Sequence, residues 1–515
     1  METAAQLLAS DFATLPALIA AHARERGTRI AIADDAGSID FADLDERMNR
    51  VAAALQRDRI APGTAIAIVA YPSIDYACVF LGALRAGCVA TPLAPSATPA
   101  AIAAMIADCA APIVFVDPEN AALLAGQPIA AHTVTFDTDF ADWLAPEGAT
   151  PDAVAIAPGD GFNIIYSSGT TGTPKGIVQS HAMRWAHIAR NAAAGFDEAV
   201  TMLATPLYSN TTLVSFLPTL GWGGTAVLMK KFDARRYLEL AERHRATHTM
   251  LVPVQYQRLM ALPDFDRFDL ASFRLKTSTS APFAAALKAD VVRRWPGHLI
   301  EYYGMTEGGA STGLNATEFP DKLHTVGRPL PGHEMRLIGD DGNEVAPGGT
   351  GEVVGRSPTM MTGYHGRDAA TREAEWHDAD GNRYIRHGDV GRFDEDGFLI
   401  LLDRKKDLII SGGFNIYPSD LEAVLAQHPA VADCTVVGAP SEAWGETPVG
   451  FYVPRADAAA GADAILGWVN AQLGKTQRLA ALHVAVELPR SAIGKVLKRE
   501  LRDALVAGST AVGAA

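Results

Sequence analysis

The stretch "YSSGTTGTPKG", from Tyr166 to Gly176, follows the apolar run "FNII" and contains three Gly, three Thr, two Ser and one Lys. Glycines let successive backbone N–H groups point at one anion, and the hydroxyl groups and the lysine add donors and positive charge. The stretch is not a Walker A loop, because Lys175 lies between Pro174 and Gly176 rather than between Gly and Ser or Thr. Composition alone leaves two interpretations open, a flexible surface loop and a phosphate-binding loop.

Helical and strand-like patterns alternate on both sides of this loop. Apolar residues recur at helical spacing in several segments, and short continuous apolar runs separate them. The predicted helices are 15–26, 43–58, 76–87 and 100–111, and the predicted strands are 64–70, 88–94, 112–117, 246–254 and 298–304. This alternation predicts layered α/β subdomains, each built on a mostly parallel sheet.

The composition of the sequence changes from about Thr325, where Gly and Pro separate short segments of alternating strand pattern. The segment "LLDRKKDLII", 401–410, then places five charged residues between two apolar runs. We therefore predict an α/β protein with a large N-terminal domain over 1–402, built of layered α/β subdomains plus a small β-rich subdomain. A hinge at 403–407 and a small, mobile α+β C-terminal domain over 408–515 complete the prediction.

Composition limits the possible partners and locations. The 515 residues exceed what one hydrophobic core supports. The net charge of −15 argues against non-specific binding to nucleic acid or to an anionic membrane surface. Four Cys without a C-x-x-C pair exclude spaced thiolate zinc sites and a disulfide framework. With neither a signal-peptide pattern nor an apolar run of membrane-spanning length, we expect a cytoplasmic protein without an integral membrane segment.

The loop resembles the signature loop of the adenylate-forming superfamily, which includes acyl-CoA synthetases, 4-coumarate–CoA ligases, luciferases and peptide-synthetase adenylation domains. The resemblance extends over nearly the whole chain, because further motifs follow in the family's order. It implies an AMP-forming acyl-CoA synthetase that uses ATP, Mg²⁺ and coenzyme A. The loop residues that it implies in nucleotide binding are Ser167, Ser168, Gly169, Thr170, Thr171, Gly172, Thr173 and Lys175.

Two further motifs extend the implied nucleotide site. "YYGMTE", 302–307, resembles the motif in which Thr306 would touch the phosphates, Glu307 would support Mg²⁺ and Tyr303 would stack near adenine. "TSTSAP", 277–282, matches the adenine-contacting strand end by place rather than by spelling. The remaining implied nucleotide contacts are Tyr302, Gly304, Met305, Ser280, Ala281 and Pro282.

The motifs "RHGDVGRFDEDGFL", 386–399, and "LDRKKDLIISGGFNIYP", 402–418, resemble the ribose-binding and hinge segments of the family. The resemblance implies that Asp389 and Arg404 bind the ribose hydroxyls and that Lys406 occupies the hinge position. Gly412 and Gly413 would line the tunnel for the pantetheine arm of CoA. For Lys405 a solvated surface charge is the preferred interpretation.

"LPRSAIGKVLKRELR", 488–502, resembles the segment that carries the family's adenylation lysine, here Lys495. The implied catalytic set is Lys495, Lys175, Thr306 and Glu307. In the second step of the family's reaction the C-terminal domain rotates, with Lys406 as the predicted pivot. Modification of Lys495 by a lysine acetyltransferase, and a homodimer, are compatible with the sequence.

The acid substrate is the least determined part of the prediction. The family usually has a gating His where this chain has Ser209, so no gating role is assigned. By alignment of the motifs, the acyl pocket draws on Asn210, Thr211, Thr279, Gly304, Ala310 and Ser311. So many polar groups favour an aryl or aryl-propenoic acid resembling 4-coumarate or ferulate, because leaving them unpaired against an alkyl chain costs about 1–3 kcal/mol each. The same polar groups are equally compatible with satisfying backbone atoms.

Alternative functions stay open at this point. One is a ligase for medium- or long-chain fatty acids, and another is a stand-alone adenylation enzyme that loads a carrier protein. Against the latter, the pocket segment around Leu207–Pro218 lacks a convincing Asp for an α-amino group. A non-catalytic or oxygenase relative is a third, although intact Thr306, Glu307 and Lys495 argue against an inactive protein.

Overall fold

The computed structural model describes residues 2–167, 174–190, 194–411, 414–442, 444–455, 460–474, 477–491 and 494–507. Packing divides the chain into two compact units. Unit 1 comprises Met1–Glu334 and Gly355–Ile385, and unit 2 comprises Met335–Val354 and Arg386–Ala515.

The α-helices are α1 (Ala4–Leu8), α2 (Leu15–Arg26), α3 (Phe41–Arg57), α4 (Ile74–Arg85), α5 (Pro99–Asp108), α6 (Pro118–Leu124), α7 (Phe140–Trp143), α8 (His181–Ala189), α9 (Asn210–Gly221), α10 (Ala234–Arg243), α11 (Pro253–Met260), α12 (Ala285–Arg294), α13 (Asp368–Glu373), α14 (Pro418–Leu425), α15 (Ala462–Gln472) and α16 (Lys498–Val506). The strands are β1 (Ile30–Ala33), β2 (Ser38–Asp40), β3 (Ala65–Val69), β4 (Val89–Pro92), β5 (Ile113–Val116), β6 (His132–Thr135), β7 (Gly161–Ser167), β8 (Lys175–Ser180), β9 (Val200–Leu203), β10 (Thr225–Leu228), β11 (His248–Leu251), β12 (Leu275–Ser278), β13 (His298–Met305), β14 (Gly308–Asn315), β15 (Arg328–Pro329), β16 (Glu334–Ile338), β17 (Gly351–Arg356), β18 (Gly363–Tyr364), β19 (Glu375–His377), β20 (Arg383–Phe393), β21 (Leu399–Arg404), β22 (Ile409–Ser411), β23 (Phe414–Ile416), β24 (Val431–Ser441), β25 (Gly445–Pro454) and β26 (Ala481–Val484).

Unit 1 contains a seven-stranded sheet of order β18-β8-β7-β4-β3-β5-β6. Its β4, β3, β5 and β6 pair in parallel, whereas β7 and β8 form an antiparallel pair. All five residues of β3 are buried, as expected for a strand covered on both faces of a parallel sheet. The sheet therefore carries the β7–β8 hairpin, with the predicted phosphate loop between its strands, toward one edge.

A second sheet in unit 1 has nine strands in the order β15-β14-β13-β12-β11-β9-β10-β1-β2. Its centre, from β1 to β13, is parallel, and β14 turns back antiparallel to β13. Helices alternate with the parallel strands, which confirms the predicted layered α/β organisation. The turn from β13 to β14 holds the end of the "YYGMTE" motif.

Local sequence signals explain why the helices form where predicted. The α2 helix covers Leu15–Arg26 because the Thr14 side chain caps its first turn and Pro16 lies in that turn. The α3 helix starts after Asp40, whose carboxylate accepts a hydrogen bond from the Asp43 N–H. Its apolar residues recur on one face and are buried in the main hydrophobic core of unit 1.

Unit 2 is β-rich at its start and α+β at its end. The strands β16 and β17 and the later part of β20 follow one another in a sheet, with β21 antiparallel to β20. A second sheet has the order β23-β22-β25-β24, with β26 beside β25, and α14 and α15 contribute to its core. The hinge predicted at 403–407 is the position about which the C-terminal domain would rotate during the reaction, and it stays a prediction.

None of the helices among the described residues is both long enough and apolar enough to cross a membrane.

Candidate active site

The base of the predicted phosphate loop is a paired hairpin in unit 1. Ser167 ends β7 and lies opposite Lys175, the first residue of β8. This pairing holds the two ends of the loop side by side. It also fixes the backbone of Lys175 as the first residue of a paired strand. The predicted contacts Ser168, Gly169, Thr170, Thr171, Gly172 and Thr173 lie outside the described residues.

Tyr364 contacts residues of both predicted phosphate-binding motifs. The short strand β18 pairs antiparallel with β8, with Tyr364 opposite Ile177. The Tyr364 hydroxyl donates a hydrogen bond of 2.9 Å to Glu307 Oε1, and the Lys175 Nζ lies 5.0 Å from the centre of the Tyr364 ring. Burial raises the pKa of Tyr364, and the Glu307 carboxylate raises it further, so the phenol stays protonated and remains a donor.

The β13–β14 turn presents Thr306 and Glu307. The Thr306 carbonyl accepts a hydrogen bond of 2.7 Å from Gln179 Nε2, and the Glu307 carbonyl accepts one of 2.8 Å from the Met361 N–H. Gly308 follows with φ of 83°, and a Cβ there would lie 1.7 Å from the Thr359 carbonyl oxygen. Only glycine fits at this position, which fixes the direction in which the Glu307 side chain leaves the turn.

The predicted adenine-contacting residues follow β12. Ser280 adopts φ of 83°, which is rare for a residue with a side chain, and its Oγ lies 2.6 Å from Thr211 Oγ1. This hydrogen bond joins the predicted adenine contacts to the predicted acyl pocket. Thr279 and Ala281 are partly buried beside Ser280, and Pro282 is exposed.

The "YYGMTE" residues before Thr306 lie along β13. Tyr302 pairs with Gly313, and Tyr303 pairs with Thr312 on β14. A Cβ at Gly304 would lie 2.7 Å from the Ser311 Oγ and 3.6 Å from the Ala310 carbonyl oxygen. These predicted pocket residues are therefore in contact in the structure, and Met305 is partly buried at the end of the strand.

Ser209, at the predicted gating position, caps a helix. Ser209 is buried and is the N-cap of α9, and its Oγ accepts a hydrogen bond of 3.3 Å from the Thr211 N–H. The side chain thus satisfies a helix terminus. Asn210 begins the helix, and its Oδ1 accepts a hydrogen bond of 2.9 Å from Arg184 Nη1.

Arg184 is a fully buried cation surrounded by neutral amides. Its guanidinium donates to Asn163 at 2.8 Å, to Asn210 and to Gln179. Gln179 in turn donates to the Thr306 carbonyl. Burial and, as a smaller contribution, nearby Arg190 lower the pKa of Arg184 to about 9. A cationic network thus connects the predicted acyl pocket to the turn that holds Glu307.

In unit 2 the two predicted ribose-binding residues lie together. Asp389 on β20 is the direct cross-strand partner of Arg404 on β21, and Arg404 Nε lies 3.3 Å from Asp389 Oδ1. Lys405 next to them is exposed, as predicted, but it also lies 3.1 Å from Asp340 and 3.2 Å from Glu352. Lys406 keeps exposed surface. Its pKa is lowered mainly because part of the side chain is buried, and secondly by the positive charge of Arg404. Gly412 and Gly413 lie outside the described residues.

Lys495 is exposed in unit 2. The Lys495 N–H donates to Ser491 Oγ at 3.2 Å, and the Lys495 carbonyl accepts from the Ser491 N–H at 2.8 Å. Arg490 donates to the Gly494 carbonyl at 2.7 Å and to Asp433 at 2.6 Å. These hydrogen bonds hold the described residues on either side of 492–493, and the Lys495 side chain is exposed.

Two features of unit 1 were not predicted from the sequence. Tyr364 is in the segment "TGYHGR", which carries no motif of recognised chemistry. The buried basic residues of α8, which are His181, Arg184 and His187 in the segment "HAMRWAHIAR", were not predicted either.

The comparisons with known proteins agree with this geometry. The family described as AMP-binding enzyme matches residues 19–365, and the AMP-binding enzyme C-terminal domain matches residues 420–495. The chain is 32% identical to an indoleacetate–CoA ligase of Aromatoleum aromaticum, over 95% of this chain and 97% of that protein. It is 31% identical to a feruloyl-CoA synthase of an Amycolatopsis species, over 90% of this chain and 94% of that protein.

Among solved structures, ATP-bound MatB from Rhodopseudomonas palustris superposes with a TM-score of 0.85 at 28% identity, covering 95% of this chain and 99% of that one. The first family match spans more than half of the chain, and the second begins within α14 and covers most of the α+β part of unit 2. The chain belongs to the AMP-binding enzyme family, within its adenylate-forming acyl-CoA ligases.

Proposed function

We propose that the protein activates a carboxylic acid with ATP to an acyl-adenylate and transfers the acyl group to coenzyme A, releasing AMP and pyrophosphate. The observation that carries the proposal is the arrangement of Lys175 and Glu307 around Tyr364, within a chain that matches the family along both units. It places a cation and a carboxylate beside the predicted phosphate loop.

The first step replaces a poor leaving group with a good one. A carboxylate oxygen attacks the α-phosphorus of ATP, the bond to the bridging oxygen of pyrophosphate breaks, and the acid becomes linked to AMP. Negative charge crowds that transition state, so the protein acts by positioning and by electrostatic stabilisation. Lys495 is proposed to neutralise the acid and α-phosphate oxygens, and Lys175 and Thr306 the departing pyrophosphate. Asp389 and Arg404 are proposed to hold the ribose.

Glu307 fits a magnesium site that is shared with substrate phosphates. Its Oε1 accepts from Tyr364, which leaves Oε2 for a metal. No group of three or more His, Cys, Asp or Glu that could hold a metal occurs among the described residues. A single carboxylate plus phosphates and water is the set that Mg²⁺ commonly takes in nucleotide enzymes. When bound there, Mg²⁺ would neutralise phosphate charge.

The second step requires a thiol to reach the acyl carbon. The CoA sulfur attacks, AMP leaves, and a thioester forms. We place Lys406 as the pivot of the movement between the steps, and Gly412 and Gly413 beside the pantetheine arm, on the resemblance of the hinge motif. The exposed Lys406 lies next to Arg404, so the predicted pivot adjoins a predicted ribose contact.

For the acid, we favour an aryl or aryl-propenoic acid. The predicted pocket is polar at several positions at once, with the Thr211–Ser280 and Arg184–Asn210 hydrogen bonds and the Gly304–Ser311 contact. The indoleacetate and feruloyl enzymes, both relatives, act on aromatic acids by their names. A medium- or long-chain fatty acid, or a carrier protein in place of CoA, is the alternative.

Mass spectrometry of the products tests the proposal. The protein is incubated with ATP, Mg²⁺ and a pool of benzoic, cinnamic, arylacetic and short- to long-chain fatty acids, with and without CoA. We expect an aromatic acyl-CoA that requires both ATP and CoA. A fatty acyl-CoA would overturn the aromatic assignment, acyl-adenylate unchanged by CoA would point to a carrier protein, and absence of AMP with every acid would overturn adenylation.

A further inference from the structure

Arg184 on α8 is the centre of a hydrogen-bonded network inside unit 1. Its Nε donates to Asn163 Oδ1 at 2.8 Å, its Nη1 donates to Asn210 Oδ1 at 2.9 Å, and its Nη2 donates to Gln179 Oε1. Asn163, Gln179 and Arg184 are fully buried, and Asn210 is partly buried. One guanidinium group therefore holds side chains from the paired strands β7 and β8 and from the first residue of α9.

The chemistry of arginine decides which way each of these amides is turned. A guanidinium group has only donors, so each carboxamide that faces Arg184 must turn its oxygen toward it. Asn163 Nδ2 then donates to Gln179 Oε1 at 2.9 Å, and this oxygen accepts two hydrogen bonds. The Nε2 of Gln179 is left to donate to the Thr306 carbonyl at 2.7 Å. Arg184 thus sets the donor that holds the turn between β13 and β14.

Without Arg184 the orientation of Gln179 would no longer be fixed. The oxygen and nitrogen ends of a carboxamide have nearly the same shape, so packing alone does not distinguish the two orientations. Asn163 would remain as a neighbour, but its own orientation also depends on Arg184. In the reversed orientation the Gln179 oxygen would oppose the Thr306 carbonyl oxygen. The turn would then move, and Glu307 with it.

Stability alone does not account for an arginine at this position. The side chain of Arg184 is fully buried, and the three acceptors that bind it are neutral amide oxygens. A buried cation without an anionic partner is unfavourable, and an apolar side chain of similar volume often stabilises a protein in its place. The network therefore has its value in the orientations that it imposes.

We infer that Arg184 is a positioning residue for adenylation, which holds the Thr306–Glu307 turn through Gln179 and holds Asn210 of the predicted acid pocket, so that the acid and ATP bind with linked affinities. This inference rests on the proposed function and adds a fully buried residue to it. A planar guanidinium group cannot follow one of its partners without changing its geometry to the others. A change at Asn210 is therefore felt at the turn, and the reverse holds because linkage is reciprocal.

Two substitutions test this role. Arg184→Met removes the guanidinium group and keeps a long, unbranched side chain. Gln179→Glu keeps an oxygen for Arg184 and gives its charge an anionic partner, but it replaces the donor to the Thr306 carbonyl with an acceptor. We expect each variant to lower kcat for ATP–pyrophosphate exchange by about 10- to 100-fold, because the proposed phosphate-binding residues are displaced. Gln179→Glu should keep the unfolding temperature of the parent, since the new carboxylate pairs with a buried cation.

Arg85→Met is the matched control in the same unit. The Arg85 side chain is only 11% exposed, and its Nη2 lies 2.6 Å from Asp45 Oδ1. Its loss leaves a carboxylate unpaired, so the unfolding temperature should fall while kcat and KM stay unchanged. Arg184→Lys, which keeps a cation with fewer and less directional donors, should recover part of the activity that Arg184→Met loses.

Calorimetric titration measures the linkage without turnover. The fastest acid of the benzoic, cinnamic, arylacetic and fatty-acid pool is titrated into the protein with and without Mg²⁺ and α,β-methylene ATP, whose α–β linkage is not cleaved. We expect the parent to bind the acid about tenfold more tightly when the analogue is present. Arg184→Met and Gln179→Glu should lose most of this factor, and Arg85→Met should keep it.

The outcomes separate this inference from the proposed function. If the parent binds the acid equally with and without the analogue, or if folded Gln179→Glu keeps the parent's kcat and linkage, the inference is wrong while adenylation stands. Should Arg184→Met fail to fold, Gln179→Glu decides alone. The same losses in Arg85→Met would assign the effect to stability and would also overturn the inference. If no acid gives AMP, the proposed function fails first.

Discussion

Two lysines are proposed to neutralise phosphate charge, and the two units surround them differently. In unit 1 Lys175 begins a paired strand, and its ammonium lies over the Tyr364 ring, whose hydroxyl holds Glu307. In unit 2 Lys495 is exposed, and Arg490 donates to the carbonyl of the neighbouring Gly494. Unit 1 thus preorganises a cation beside a carboxylate, whereas unit 2 presents its lysine at an exposed position.

The difference matters because preorganised groups stabilise a transition state without reorganising during the reaction. The preorganised groups of unit 1 suit the pyrophosphate part of ATP, which must be bound from the beginning of the reaction. An exposed lysine suits a charge that is needed in one step only. Substitutions at the two lysines and around Tyr364 should therefore have different signatures.

The largest effect is expected for Lys495→Ala. Acyl-adenylate formation should fall by about 1,000-fold or more, because the charge that balances the attacking carboxylate is lost. Thioester formation from supplied acyl-adenylate and CoA should remain within a few-fold. Single-turnover assays of each half-reaction measure both, with Arg499→Ala as an exposed basic control. Equal loss of the two half-reactions in a folded protein would contradict the separate role of unit 2.

Glu307→Gln should follow, with adenylation about 100-fold slower. The amide oxygen still accepts from Tyr364, so the turn keeps its shape while the charge for Mg²⁺ is removed. ATP–pyrophosphate exchange across a range of Mg²⁺ concentrations measures the change. Glu318→Gln, on an exposed loop after β14, is the matched control. Unchanged exchange at every Mg²⁺ concentration would remove Glu307 from the preorganised set.

An acid-dependent loss of stability should be measurable beneath the loop of unit 1. His181 begins α8 directly after β8, is buried, and stacks edge-on against Phe162 with ring centres 5.0 Å apart. Burial lowers its pKa from 6.5 to about 4. The neutral ring therefore contributes stability above pH 6.5 that is lost as the pH falls toward 4, about 2 kcal/mol at pH 5.

Chemical denaturation at pH 8 and pH 5 checks this expectation. The His181→Phe variant keeps an aromatic ring and cannot be protonated, so its unfolding free energy should fall less between the two pH values than that of the parent. Parallel losses in both proteins would show that another group dominates.

Tyr364→Phe should have the smallest effect, about tenfold in adenylation, because a hydrogen bond to a charged acceptor is lost and the ring remains beneath Lys175. The apparent Mg²⁺ requirement should rise, since Glu307 loses its positioning partner. Tyr364→Leu should add a further loss in pyrophosphate binding. Tyr237→Phe, which removes a buried hydroxyl that bonds Thr249 at 2.7 Å, is the control. A change in stability alone, at unaltered Mg²⁺ dependence, would assign Tyr364 to structure only.

Local sequence patterns predicted the helices and buried strands of unit 1, because caps and apolar periodicity are written into neighbouring residues. Thr14 and Pro16 mark the start of α2, and the predicted span 15–26 is the observed one. The order of the strands in each sheet could not be predicted from such local patterns. In the nine-stranded sheet β1 pairs with β10, and that pairing depends on contacts between distant segments.

The candidate site shows the same division. Motifs pointed to Thr306, Glu307, Asp389 and Lys495, because their chemistry is read from consecutive residues. Tyr364 was missed, since its role exists only once β18 pairs with β8. The basic residues of α8 are visible in the sequence, but the hydrogen bonds of buried Arg184 to Asn163 and Asn210 exist only in the packed unit.

The cap at Ser209 has a consequence for engineering of the enzyme. A change of Ser209 to His would remove the group that accepts from the Thr211 N–H, at a cost of about 1 kcal/mol, and would place an imidazole in a buried position. A histidine introduced at this position therefore weakens the start of α9 unless another residue first takes over the cap. A designer who wants a histidine here would have to change the helix start before changing residue 209.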